Sequence, residues 1–127
     1  MQSTGKCEAQ TNAVVLKAYS HVAEAWGLSS REAAGLADLS ETTWPEAKPP
    51  RFDVDLTKDQ LLRLTALIRI FRTLELYCSE PVARAWIRGP NRSPIFAGAC
   101  PIDSAMEGGL PQMLAIEAYL DALQGGG

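Results

Sequence analysis

Thr57-Lys58-Asp59-Gln60-Leu61-Leu62-Arg63-Leu64-Thr65-Ala66-Leu67-Ile68-Arg69-Ile70-Phe71-Arg72-Thr73-Leu74-Glu75-Leu76-Tyr77-Cys78 is the stretch that decides the fold. It opens with Thr57 and Gln60 at the spacing of a capping box, where a threonine oxygen and a glutamine side chain satisfy each other's backbone N–H. Behind this start, Leu61, Leu64, Ile68 and Phe71 recur at three- and four-residue spacing, the period of a helix. Leu62, Leu67, Ile70, Leu74 and Tyr77 widen the apolar arc well beyond one face. Such an arc predicts a helix over about 58–78 that is covered on several sides, either the centre of the fold or the seam of a homodimer.

Outward from this helix the pattern remains helical, with no sustained two-residue alternation. Val14, Val15, Ala18, Val22 and Ala25 form one stripe that Gly27 ends. Ser29 or Ser30 is placed to cap a short helix over 31–37, and Asp38-Leu39-Ser40 reads as a turn. Ser40 is then expected to cap a brief third helix through Trp44, which Pro45 limits. Residues 46–55, with Pro49-Pro50, read as a linker. Glu80-Pro81 starts another helix, with Val82, Trp86 and Ile87 expected inward, and Gly89-Pro90 ends it. A loop over 91–101 leads to a short helix at 102–107, stopped by Gly108-Gly109. The last helix, 111–123, carries Met113, Ile116, Leu120 and Leu123 on one face. The expected fold is all-α: a helix-turn-helix-like N-terminal region, 1–50, followed by a helical region, 57–127.

Composition excludes several classes. At 127 residues, 46% hydrophobic and 21% charged, the chain is neither disordered nor fibrous. No apolar run approaches the roughly 18–20 residues that span a bilayer, and the first residues hold no apolar signal segment. A cytoplasmic protein is expected. Cys7, Cys78 and Cys100 share no metal-binding spacing, His21 is the one histidine, and no nucleophile or phosphate-loop motif occurs. Neither catalysis, nor a metal, nor a cofactor is expected. Charge is segregated: residues 1–55 hold five Lys/Arg against eight Asp/Glu, 56–96 hold seven against three, and 97–127 hold four carboxylates and no cation.

Residues 28–44 follow helix-turn-helix grammar. Ala34 sits where the helices cross, Leu39 follows the turn, and polar residues open the second helix. The segment resembles the helix-turn-helix of Xre-type regulators, which would turn Thr42, Thr43 and Lys48 toward DNA. It differs in having Asp38 at the usual turn glycine, Glu41 and Glu46 rather than cations, and Pro45 inside the would-be recognition helix. Weak DNA binding by the isolated chain is therefore expected, because acidic groups repel phosphates.

Farther on, Ala85-Trp86-Ile87-Arg88-Gly89-Pro90-Asn91, Phe96-Ala97-Gly98, Pro101-Ile102-Asp103, Gly108-Gly109 and Tyr119-Leu120-Asp121-Ala122-Leu123 stand in a familiar order. Residues 57–127 resemble the C-terminal domain of Xre/MbcA/ParS-type antitoxins of the RES-type toxin–antitoxin systems. The resemblance implies a protein that neutralises a NAD-using toxin, an ADP-ribosyltransferase or NAD-degrading enzyme, by covering its active site. The residues it turns toward the toxin are Arg88, Asn91, Arg92, Phe96, Tyr119, Asp121, Gln124, Gly125, Gly126 and Gly127. The partner is then a cognate RES-type toxin, with a homodimer of this chain in a heteromeric complex. The alternative function is a helix-turn-helix transcriptional regulator of its own operon.

Overall fold

The structure is a computed structural model. It describes residues 2–49 and 51–125, with the side chains of 10–49 and 51–123. Six helices follow in order: α1 (Gln2–Trp26), α2 (Ser30–Ala37), α3 (Trp44–Ala47), α4 (Lys58–Tyr77), α5 (Glu80–Arg88) and α6 (Pro101–Gly125). The fold is all-helical, with no strand among the described residues, and its N-terminal part is helix-turn-helix-like.

The expected capping box at Thr57 forms, and Ser29 makes a second one with Glu32. Ser29 Oγ accepts the Glu32 N–H at 3.1 Å while Glu32 Oε1 accepts the Ser29 N–H at 3.0 Å. Thr57 and Gln60 repeat the exchange at 3.1 and 2.9 Å. Gln60 also donates to the carbonyl of Asp38 at 2.8 Å, fastening the start of α4 to the turn after α2. In that turn Asp38 is left-handed (φ 60°), and the Leu39 N–H reaches back to the Ala34 carbonyl at 2.9 Å. An aspartate serves here where glycine is commoner, because its short polar side chain tolerates this conformation.

α4 is the central helix. It packs against α1, α2, α5 and α6, so the central part of its apolar arc is covered within one chain. Leu64, Leu67, Ile70 and Leu74 are all buried, each worth about 1.5–3 kcal/mol of transfer free energy. The outer members of the expected arc, Leu62 and Tyr77, are instead exposed. One core cluster runs from Leu16, Tyr19 and Val22 through Leu64 and Ile70 to Ile87 and Ile116. Within it the Tyr19 hydroxyl donates to the Ala33 carbonyl at 2.6 Å, and burial pushes its phenol well above the ordinary range.

Three local expectations change. The third helix is brief, but it starts at Trp44 rather than ending there. Ser40 Oγ does accept the Thr43 N–H at 3.1 Å, yet residues 41–43 stay a turn and Pro45 occupies the first turn of α3. Proline is tolerated there because its missing N–H would be unpaired anyway. The stretch 46–55 is a strap more than a free linker. The Asp53 N–H donates to the Glu46 carbonyl at 2.8 Å, and Phe52, Val54 and Leu56 pack against the core. On α5, Val82 is exposed and Trp86 half-buried. Ile87 is buried as expected and Trp86 packs against the core, but the residue that faces inward one turn before Ile87 is small Ala83, not Val82.

The C-terminal helix breaks where the double glycine predicts. Gly109 (φ 67°, ψ −152°) interrupts α6, and the helix resumes through Pro111. No helix among the described residues is long and apolar enough to cross a membrane.

Candidate partner-binding site

The loop between α5 and α6, residues 89–100, is held from several directions. Gly89 leaves α5 in extended conformation. The Asn91 N–H donates to the Ala99 carbonyl at 3.1 Å and the Gly98 N–H to the Asn91 carbonyl at 2.8 Å, closing the loop at its base. Asn91 Oδ1 accepts the Ser93 N–H at 2.9 Å, so this asparagine shapes its own turn. The Ser93 and Tyr119 hydroxyls lie 2.6 Å apart. Gln112 Nε2 donates to the Ile95 carbonyl at 2.9 Å and to Ser104 Oγ at 2.7 Å, joining loop and helix. The tip turns back through Ala97 (φ 50°) and Gly98 (φ 90°).

Phe96 is the loop's anchor. It is 2% exposed, and its ring stands edge-on to Trp86 on one side and Tyr119 on the other, each centroid 5.8 Å away. Edge-to-face pairs of this kind contribute about 0.5–1.5 kcal/mol beyond burial. A loop fixed by an aromatic ladder and five hydrogen bonds presents a preformed surface, which lowers the ordering cost of binding a partner.

The expected site residues fall into distinct groups. Arg92 and Asp121 are exposed and project from the loop and α6. Asn91 and Tyr119 are half-buried, with hydrogen bonds that face inward to the loop. Phe96 is buried and braces the surface without being part of it. α6 is followed to Gly125, while the side chain of Gln124, and Gly126 and Gly127, lie outside the described residues. Gln112 and Trp86 hold the loop. Trp86 stood in the motif, whereas nothing in the local pattern marks Gln112.

Arg88 points the other way. Its guanidinium meets the Glu32 carboxylate through both nitrogens, at 3.3 and 3.1 Å, and reaches the Trp26 carbonyl at 3.4 Å. Arg84 lies beside it over Gly27, so two cations of α5 sit at the C-terminal end of α1, where the helix dipole favours positive charge. Burial alone would raise the Glu32 carboxyl, but the Ser29 N–H and the Arg88 guanidinium outweigh it and hold it below the usual range. Arg88 thus joins α5 to the helix-turn-helix part.

On that part, the expected DNA-facing residues are engaged locally. The hydroxyls of Thr42 and Thr43 lie 2.9 and 2.8 Å from Ser40 Oγ. Lys48 caps the end of α3 and is half-buried. The face also carries Glu41, exposed, and Glu46, half-buried and 3.9 Å from Arg51. Among the described residues no three His, Cys, Asp or Glu side chains are grouped to hold a metal ion.

Comparison with known proteins places this geometry. Residues 8–69, from α1 into α4, match the Antitoxin Xre-like helix-turn-helix domain. Over 113 residues the chain is 30% identical to the uncharacterized protein y4oB of Sinorhizobium fredii (strain NBRC 101917 / NGR234), covering 87% of this chain and 84% of the relative. The match therefore runs through the helix-turn-helix part and on into the C-terminal helices. The chain belongs to the same family as y4oB, and its residues 8–69 are similar to the Xre-like antitoxin helix-turn-helix domain.

Proposed function

We propose that the chain is an antitoxin, a binding protein and not an enzyme, that neutralises a cognate toxin of the RES type by covering its NAD-using active site. The observation that carries this reading is the pairing of two features. An Xre-like antitoxin domain match covers residues 8–69, and a loop braced by Phe96 stands beside a cation-free C-terminal helix in the rest of the chain. In this reading residues 57–127 face the toxin, through Arg92, Asn91, Tyr119, Asp121 and the end from Gln124 to Gly127. Phe96 positions that surface from within, and Arg88 joins its helix to the helix-turn-helix part. An acidic terminus suits a pocket built to receive the phosphates of NAD, because a site lined for anions attracts other anions. The protein works in the cytoplasm, as its toxin's substrate does.

Deletion of residues 124–127 is expected to weaken protection from the toxin while leaving thermal stability nearly unchanged. Growth of cells co-expressing the toxin, beside melting curves of the purified chain, checks this. Full protection by the shortened chain would show that the end of the chain is not the inhibitory element.

A second reading, repression of its own operon, is favoured by the helix-turn-helix match. Four residues are too few for a recognition helix to fill a major groove, and the threonine hydroxyls that would reach base edges are bonded to Ser40. The free chain is therefore expected to bind its promoter only weakly, at tens of micromolar or above, at physiological salt. Sub-micromolar, sequence-selective binding in a fluorescence anisotropy titration would contradict this.

Self-association belongs to the same proposal. An open groove of about 570 Å³ runs between α1 and α4, floored by Ala18, Val22, Ile68 and Phe71, with Val14 68% exposed at its lip. Light scattering of the isolated chain at tens of micromolar is expected to give about twice the monomer mass. A strict monomer would remove the homodimer from the account.

A further inference from the structure

Four large apolar side chains are exposed at one end of the molecule: Leu76 (78%), Tyr77 (66%), Val82 (56%) and Leu123 (58%). Their common location follows from helix direction. The Arg63 guanidinium lies against Gly109, and Arg69 pairs with Glu117 at 3.6 Å, so α4 and the second half of α6 run side by side in the same direction. Leu74 and Leu120, near the far ends of the two helices, are both buried. The C-terminal ends of α4 and α6 therefore share one pole, and α5 begins there after only Cys78 and Ser79.

Among the described residues that α4, α5 and α6 bring to this pole, the charge is negative. Glu75, Glu80 and Asp121 are exposed, and neither 73–83 nor 93–127 contains a lysine or arginine. The nearest cations of α4 and α5 lie toward α1: Arg72 and Lys17 line the groove, which Glu75 also borders, and Arg84 lies over Gly27. An apolar face rimmed by carboxylates repels a second copy of itself and repels nucleic acid. It complements an apolar protein surface rimmed by lysine or arginine.

We propose that this end face, formed by the α4–α5 corner and the end of α6, is the principal docking surface for the toxin, which offers it a basic-rimmed apolar patch. The proposal rests on the antitoxin reading and sharpens it. The affinity comes from Leu76, Tyr77, Val82 and Leu123. Exposed apolar anchors inside a polar rim are where interface free energy concentrates.

The test uses the full chain and the protein encoded by the adjacent reading frame, with binding followed by biolayer interferometry. Two variants are compared with wild type: Leu76→Ser/Tyr77→Ser, and Glu75→Lys/Glu80→Lys/Asp121→Lys. The first is expected to weaken binding about 10- to 100-fold, chiefly through faster dissociation. The second is expected to slow association about tenfold and to flatten its dependence on salt. Since all five side chains are exposed, melting temperatures should stay near wild type. If the apolar variant proved unfolded, the charge-reversed variant would decide alone. Wild-type binding with both variants unimpaired would overturn this surface and leave the antitoxin reading standing. No wild-type binding would overturn that reading and the proposed partner together. Loss of a homodimer in the apolar variant, with toxin binding intact, would assign the face to self-association and overturn the proposal.

Discussion

Phe96→Ala is expected to destabilise the fold by about 3–5 kcal/mol, the range for truncating a fully buried aromatic side chain. The ring is 2% exposed and in edge contact with two other rings, so alanine leaves both without a partner across the cavity it creates. The loop cannot simply collapse into that space, because its base and its turn are hydrogen-bonded at Asn91. Urea denaturation should show the midpoint falling with little change in slope. Phe96→Leu, which refills part of the volume, should lose clearly less. A loss under about 1 kcal/mol for alanine would mean that the loop is not anchored as described.

Gly109→Ala is expected to cost about 1–3 kcal/mol, from backbone strain alone. At φ 67° and ψ −152° the residue occupies a region that is essentially glycine's, since a Cβ there collides with the flanking peptide groups. An added methyl also comes up against the Arg63 guanidinium, which would have to shift and loosen its 2.7 Å contact with Asp59. Because the two halves of α6 pivot at this position, the strain also bears on the register of Tyr119 and Leu120 against the rest of the molecule. Thermal melts of the purified variant check the magnitude. An unchanged melting temperature would show that the break in α6 can be made by any residue.

What the sequence made legible is what depends on neighbours within a turn or two. The capping box at Thr57, the serine cap before α2, the stop at Gly27, the turn at Asp38 and the break at Gly108-Gly109 each rest on residues at most four apart, and all are found. The central role of α4 was also readable from the width of its apolar arc, although periodicity alone could not choose between a buried helix and a dimer seam. Arg88 was out of reach for a different reason. Its partner Glu32 lies 56 residues earlier, and an arginine in a polar loop motif looks the same whether it faces a partner or an internal carboxylate. On α5 the reading held for Ile87 and Trp86 and missed at one position: Val82 is the more apolar residue, but packing turned small Ala83 inward instead. Gln112 gives no local signal at all, because a glutamine that joins a loop carbonyl to a serine eight residues back has no pattern until the chain has folded.

The central claim, that the chain neutralises a toxin by direct binding, is tested most directly by co-expression with the adjacent reading frame. The toxin alone is expected to arrest growth and deplete NAD or ADP-ribosylate its target. With the full chain present, growth should recover, and the two proteins should co-purify as one complex whose toxin no longer turns over NAD. Growth arrest that persists despite a soluble, folded chain, or recovery without any complex between the two proteins, would contradict the account.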